Sequence, residues 1–272
     1  MDKRPYGEVF EDIRESLELH RNEFEAIGIS RKKIGDFEKG KRLLSIEDMD
    51  RALSYMYMSL GEYEYLVNHF AYDEAEEVFL KIEHSYYKQD SRGLKQIYAD
   101  YLDTDPLVAL SAKACYADLE EVERQELASH FFGVSVWSFY ELSVLSYTIE
   151  HFTPTMIISI ISDWEKPTGA FKNIFKYRRR MQQALHRGVL ALILAGEKVE
   201  AHNVLLYAEK QLFERDIFAK LLHKFAFGYY HYVFEDKAQG KNEMDYVIYF
   251  YDAVESIDLR DYYQKFVDEN VK

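Results

Sequence analysis

The chain of 272 residues contains one cysteine, Cys115, and only four prolines. A single cysteine excludes an internal disulfide and any zinc site built from several cysteines, and it fits a reducing compartment. The longest uncharged runs, such as residues 127–140, are too short to span a bilayer, and no basic-plus-apolar signal opens the chain. We therefore expect a soluble, cytoplasmic protein that does not enter a membrane.

Positive charge is also scarce. The chain has 34 Lys and Arg against 48 Asp and Glu, a formal net charge of -14, which argues against a generally polycationic nucleic-acid binder. The balance reverses locally, because residues 31–42 hold six basic and two acidic residues. Any contact with DNA should therefore be confined to this segment.

Catalytic signatures are missing from the sequence. There is no P-loop, no Gly-x-Ser-x-Gly and no His-Glu-x-x-His, and none of the nine histidines follows a glutamate by three positions. Glu126 and His130 are spaced as two metal ligands on a helix, but two ligands without a third are usually a solvated pair. We expect no enzymatic activity, no metal and no cofactor.

Residues 28–41, GISRKKIGDFEKGK, have the pattern of a DNA recognition helix. Ser30 is a favourable N-cap, which places Arg31 and Lys32 in the exposed first turn, the part of such a helix that reaches base edges. Gly40 can adopt the left-handed conformation that ends a helix. Cations in a first turn oppose the helix dipole unless an anion such as phosphate accompanies them. The alternative interpretation is a solvated helix end without a ligand.

Apolar residues recur at helical spacing around this segment, and Phe24 and Ile27 fit a short second helix. The pattern predicts five helices over residues 1–68, the layout of a helix-turn-helix domain. The stripes are Tyr6, Phe10, Ile13 and Leu17 before the segment, Ile34 and Phe37 within it, and Ile46, Met49, Leu53 and Met56 after it. The predicted DNA contacts are Ser30, Arg31, Lys32, Lys33, Lys39, Lys41 and Arg14.

Helical periodicity continues through residues 69–272 almost without interruption, so the predicted fold class is all-α. The prolines, Pro5, Pro106, Pro154 and Pro167, stand where helices should begin. They divide this region into antiparallel helix pairs of about 30 to 45 residues, the spacing of a tetratricopeptide-like array.

Aromatic residues make up 16% of the chain, including 23 tyrosines. They either pack between stacked helices or line a concave surface that binds peptides. Arg178 falls within the apolar stripe of residues 171–192, where it either pairs with a group such as Glu141 or binds the carboxylate of a peptide. The opposite face of that helix carries a basic stripe that we expect to be solvated: Lys172, Lys176, Arg180 and Arg187.

Three segments together resemble the Rgg/GadR/MutR regulators of Gram-positive bacteria: SRKKIGDFEKG from Ser30, WSFYEL from Trp137, and the tyrosine-rich pair MDYVIYFYDAVESI and LRDYYQKF. The resemblance implies a dimer with an Xre-type helix-turn-helix domain and a tetratricopeptide-like domain. In quorum-sensing members the second domain binds a short secreted peptide. Ser30 to Lys33 match the start of the family's reading helix, and Phe37, Glu38 and Gly40 match its end. Trp137, Tyr140 and Glu141 match a Trp-x-x-Tyr-Glu signature.

The sequence thus predicts a homodimeric transcription regulator that binds double-stranded DNA through residues 1–68. Residues 69–272 are expected to form the dimerisation domain and to hold a short peptide. The predicted peptide contacts are Arg178, Trp137, Tyr140, Glu141 and Tyr147. The alternative is a protein-interaction adaptor whose helix-turn-helix no longer binds DNA. Asp36, at a usually basic family position, and the net charge of -4 over residues 1–70 favour that alternative.

Overall fold

A computed structural model describes residues 4–68, 74–164 and 174–272. These residues form fifteen α-helices and two 3-10 helices with no β-strand, which confirms the all-α prediction. None of the described helices is long and apolar enough to cross a membrane. The predictions for Pro167, Phe171 and Lys172 lie outside the described residues.

The helices follow one another through short connections. The α-helices are α1 (Tyr6–Ser16), α2 (Arg31–Glu38), α3 (Ile46–Tyr55), α4 (Leu60–Val67), α5 (Glu74–Tyr87), α6 (Ser91–Tyr101), α7 (Pro106–Ala114), α8 (Glu121–Gly133), α9 (Phe139–Thr148), α10 (Pro154–Trp164), α11 (Phe175–Leu194), α12 (Lys198–Lys210), α13 (Ile217–Phe234), α14 (Lys237–Ala253) and α15 (Ile257–Asn270). The 3-10 helices are Arg21–Ile27 and Ile149–His151.

The chain divides into two compact units, residues 1–77 and 78–272. The predicted domain boundary after residue 68 stays a prediction, because residues 69–73 are not described.

The first unit contains α1 to α4 and the first 3-10 helix, in the order expected for a helix-turn-helix domain. Its core is built around Phe10, whose ring centroid lies 5.8 Å from that of Phe24 and 5.4 Å from that of Phe37. Both partners are buried, so the second helix contributes to the core although it is a 3-10 helix. The apolar stripes were predicted correctly at their centres and wrongly at several ends. Ile46 and Tyr6, each the first residue of its helix, are exposed, and so is Leu17 just after α1.

The second unit is an array of helix pairs, as predicted. Neighbouring helices pack as α6 with α7, α11 with α12, and α13 with α14, while α7, α9, α11 and α13 contact one another in succession. Pro106 and Pro154 each open a helix, and the Asp105 carboxylate accepts a hydrogen bond of 3.2 Å from the amide of Val108. The last helix, α15, packs on α13 through Tyr263, whose ring centroid is 4.5 Å from that of Phe225.

The crossing of α13 and α14 depends on two glycines. A Cβ atom at Gly240 would overlap the backbone amide nitrogen of Tyr232 and the carbonyl oxygen of Gly228. The two helix backbones therefore approach more closely than any larger residue permits. This tight crossing fixes α13 against α14, and α13 in turn contacts α11.

We expect Gly240→Ala to lower the free energy of unfolding by about 2 to 3 kcal/mol, because the new methyl group must push two backbones apart. Urea denaturation followed by circular dichroism measures the effect. Gly133→Ala is the matched control, since a Cβ atom there meets open space. Equal stability of the two variants would contradict this account of the crossing.

Candidate functional site

The start of α2 presents cations to solvent. Ser30 is its N-cap, as predicted, and its hydroxyl accepts a hydrogen bond of 3.3 Å from the amide of Lys33. Arg31 and Lys32 are exposed in the first turn. The helix ends as expected, with Gly40 at a φ of 65°. The exposed basic residues after it are Lys39, Lys41 and Arg42, the last of which was not among the predicted contacts.

Lys33 is held within the protein. Its ammonium group binds the carboxylate of Asp48, which also binds Arg51 in the next turn of α3. The hydrogen bond from Lys33 lowers the pKa of Asp48 against the opposing effect of burial. Lys33 therefore fastens α2 to α3, which leaves Arg31 and Lys32 as the free cations of the first turn.

Arg14 is also an interior residue. Its Nε donates a 2.6 Å hydrogen bond to the carboxylate of Glu38, and Arg21 binds the other oxygen of the same group. Burial alone would lower the pKa of Arg14, but the carboxylates of Glu38 and Glu15 outweigh it and raise the pKa. Because Arg14 is 6% exposed and its guanidinium is paired, it is not one of the exposed cations. Its role is to join α1 to the end of α2.

The residues of the WSFYEL segment have interior partners. Trp137 is buried and stacks on Phe131 at 5.6 Å. The carboxylate of Glu141 accepts a 2.9 Å hydrogen bond from the amide of Ser138 and so caps α9, while Arg178 lies beside Asp216, so the suggested pair of Glu141 with Arg178 is not formed. These contacts give the WSFYEL segment a structural role: Ser138 and Glu141 cap the start of α9, and Trp137 packs in the core next to it.

Tyr140 and Tyr147 likewise bond within the protein. The Tyr140 hydroxyl donates to the Asp105 carboxylate at 2.5 Å. Tyr147 is buried in a stacked arrangement with Phe79 of α5, and its hydroxyl accepts a 2.7 Å hydrogen bond from Arg180. The five predicted peptide contacts are thus not brought together on one surface.

Arg178 lies against α13. Its guanidinium carbon is 3.7 Å from the ring centroid of Phe213, and its Nε is 4.0 Å from the nearer carboxylate oxygen of Asp216. This arrangement is a cation–π contact with a buried counter-charge.

The predicted solvated stripe on α11 is wrong for two of its members. Arg180 and Arg187 are 4% and 7% exposed. Arg180 binds the Glu83 carboxylate at 3.0 Å, while Arg187 donates a 2.6 Å hydrogen bond to the carbonyl oxygen of Ser146. Burial alone would lower the pKa of Arg187, but the surrounding phenols and Glu150 raise it. Both guanidiniums are therefore charged groups inside the fold, because α9 and side chains of α5 cover the face of α11 that was expected to meet water.

A tyrosine contact joins the first and last helices of the second unit. The hydroxyls of Tyr86 on α5 and Tyr262 on α15 share a hydrogen bond, and their ring centroids are 5.0 Å apart. Tyr87 also packs on Tyr262, at 5.4 Å. The guanidinium carbon of Arg187 lies 4.1 Å from the Tyr86 ring, so the contact rests on a buried cation.

Two cavities of about 570 Å³ each adjoin this contact. The Cys115 cavity is lined by residues that include Tyr86, Cys115, Tyr116, Glu150, Tyr262 and Phe266. The Arg179 cavity is lined by residues that include Glu83, Tyr87, Arg179, Phe218 and the turn from Glu255 to Leu259. Neither cavity could be predicted from the sequence, because each is lined by residues that are more than 100 positions apart in the chain. The described residues contain no group of three side chains suited to a metal ion.

A helix-turn-helix unit followed by a tetratricopeptide-like array defines a class of bacterial transcription regulators. The family model described as "HTH-type transcriptional regulator Rgg, C-terminal domain" matches residues 86–265. The chain therefore belongs to the Rgg family of transcriptional regulators, which confirms the resemblance seen in the sequence.

Solved structures share the fold over nearly the whole chain. A protein from Listeria monocytogenes EGD-e, classed as a transcriptional regulator, is 16% identical with a TM-score of 0.81 over 99% of this chain and 98% of its own. The C45S variant of the SHP pheromone receptor Rgg2 from Streptococcus dysgalactiae is 15% identical, with a TM-score of 0.77 over 98% and 100%. PrgX in complex with cCF10 is 12% identical, with a TM-score of 0.70 over 98% and 100%.

Cys115 provides a chemical test of the cavity that it lines. Burial raises the pKa of its thiol to about 12, so little thiolate exists at pH 8. We expect iodoacetamide to alkylate the folded chain at least about a hundredfold more slowly than the urea-unfolded chain. Mass spectrometry follows the single reaction without interference, because the chain has no other cysteine. Equal rates in the two states would show that the thiol is not desolvated.

Proposed function

We propose that this regulator acts as a homodimer that binds double-stranded DNA in a sequence-specific way through the first turn of α2. The observation that carries the proposal is the division of its cations. Lys33 and Arg14 form ion pairs with carboxylates of the protein, whereas Arg31 and Lys32 remain exposed at the positive end of a helix. Lys39, Lys41 and Arg42 extend the basic surface beyond the end of α2 and suit phosphate contacts.

Two copies related by a two-fold axis would present two α2 helices to half-sites about one helical turn, roughly 34 Å, apart. Each contact between a cation and a phosphate releases counter-ions, so binding should weaken as the salt concentration rises.

Selection of duplexes from sheared genomic DNA of the source organism tests DNA binding. We expect enrichment of a two-fold symmetric site and a loss of affinity of at least about tenfold in Arg31→Ala/Lys32→Ala, measured by fluorescence anisotropy at fixed salt. Lys210→Ala/Arg215→Ala removes the same charge from exposed positions of the second unit and should bind like the wild type. Absence of any enriched site at low salt would favour the adaptor function instead.

We further propose that a short apolar peptide controls the regulator and that its carboxylate binds in the Arg179 cavity. Among the relatives, Rgg2 is a pheromone receptor and PrgX has been seen with cCF10. In this chain the Arg179 guanidinium carbon lies 4.4 Å from the Phe218 ring, and its buried Nε has no hydrogen-bond partner in the described structure. We assign the carboxylate to Arg179 rather than Arg178, since Arg178 has the Asp216 carboxylate beside it and lines neither cavity.

A synthetic library of apolar octapeptides, prepared with free and with amidated C-termini, tests this role. We expect the immobilised wild-type protein to retain free-acid peptides and Arg179→Ala to lose them, because a guanidinium pairs with a carboxylate but not with an amide. Arg178→Ala is the matched control and should lower the melting temperature while it keeps peptide retention. Equal retention of the amidated library would contradict the assignment.

A further inference from the structure

The Cys115 cavity contains a carboxylate without a counter-ion. Glu150 belongs to the second 3-10 helix, follows the fully buried Ile149, and is itself reached by solvent through the cavity. Burial by the surrounding protein raises the pKa of its carboxyl group, and Arg187, which acts on it through space, opposes that rise. Arg187 donates no hydrogen bond to it among the described contacts, because it bonds to the carbonyl oxygen of Ser146.

His151 does not supply the missing positive charge. Its Nδ1 accepts a hydrogen bond of 3.4 Å from the amide of Leu119, and its Nε2 lies 3.0 Å from the carbonyl oxygen of Ala114. These partners require an unprotonated Nδ1 and a protonated Nε2, which is the neutral ring.

The other charged groups at the cavity are mostly acidic. Asp118 and Glu269 add two carboxylates, and the exposed Lys265 adds one ammonium group. The cavity therefore has more negative than positive groups. An anionic ligand would be repelled, whereas a cationic ligand would bring a counter-charge to Glu150.

Four aromatic residues contribute to the walls of the cavity. Tyr86, Tyr116, Tyr262 and Phe266 line it, and the faces of such rings attract cations. Two of these rings already contact cations of the protein: Arg187 lies over Tyr86, and the ammonium nitrogen of Lys95 lies 5.6 Å from the centroid of Tyr116. Aromatic faces around one carboxylate match the apolar stem and charged head of an alkylammonium or guanidinium group.

We propose that the Cys115 cavity binds an organic cation, with Glu150 as its counter-charge and the tyrosine rings as its walls. The cation comes either from a free amine or from a basic residue of a peptide. Because Tyr86 and Tyr262 are both wall residues, the ligand contacts the two helices whose hydroxyl contact closes the second unit. Binding is thereby linked to the α5–α15 contact.

Isothermal titration of the full-length protein with agmatine, which carries a guanidinium and an ammonium group, tests the proposal. We expect saturable 1:1 binding that weakens at least tenfold in Glu150→Gln and is unchanged in Glu126→Gln, a matched removal of an exposed carboxylate on α8. Absence of saturable binding, or equal binding by the Glu150→Gln variant, would overturn the proposal.

Alkylation of Cys115 gives a second readout within the same cavity. Agmatine should slow the reaction of the wild type and leave the rate of Glu150→Gln unchanged, because the bound cation covers the thiol only when its counter-charge is present. Protection of both proteins to the same degree would count against a role for Glu150.

Two heptapeptides that differ only in lysine against norleucine identify the source of the cation. Displacement of agmatine by the lysine peptide at lower concentration than agmatine itself requires would assign the cavity to a basic peptide residue. Tighter binding of agmatine would assign it to free amines. Equal displacement by both peptides would overturn the need for a cation. None of these outcomes depends on DNA binding or on the Arg179 cavity, so they separate this inference from the proposed function.

Discussion

The second unit depends on two guanidinium groups that α11 carries into its interior. A charge removed from water is stable only when other groups replace its hydration, and the loss of one partner from a buried pair typically costs about 3 to 5 kcal/mol. Arg180 obtains its partners from α5 and α9 through Glu83 and Tyr147, and Arg187 obtains a carbonyl of α9 and the ring of Tyr86. The position of α5 over α11 is therefore required by charge as well as by packing.

In the helix-turn-helix unit, too, a buried charge requires partners. Glu38 is buried and binds both Arg14 and Arg21, which fixes the end of α2 to α1 and to the first 3-10 helix. Asp48 fixes the start of α2 through Lys33. In this unit Arg14, Arg21 and Lys33 are thus bound to carboxylates, whereas Arg31 and Lys32 on α2 remain exposed. DNA binding is compatible with the net charge only because of this division.

The aromatic residues connect the buried charges to the two cavities. Tyr86 covers Arg187 on one side and meets Tyr262 on the other, so a ligand in the Cys115 cavity contacts a side chain that takes part in the internal charge network. The Arg179 cavity lies beside the next residue, Tyr87. A ligand at either site can alter the equilibrium between arrangements of α5 and α15 only by its difference in affinity for them.

The sequence by itself determined the local structure: the N-cap at Ser30, the helix end at Gly40, the helix start at Pro106 and the array of helix pairs. These features depend on backbone geometry and on capping within a few residues, which the local sequence encodes. It also located the exposed pair Arg31 and Lys32. Only the tertiary structure decided which cations are buried. Helical period assigns residues to faces but does not say how many faces are covered, and on α11 nearly every residue from 180 to 193 is buried because α9, α12 and α13 pack around it. The buried roles of Arg14, Arg180 and Arg187, and both cavities, follow from contacts between distant segments that no local pattern contains.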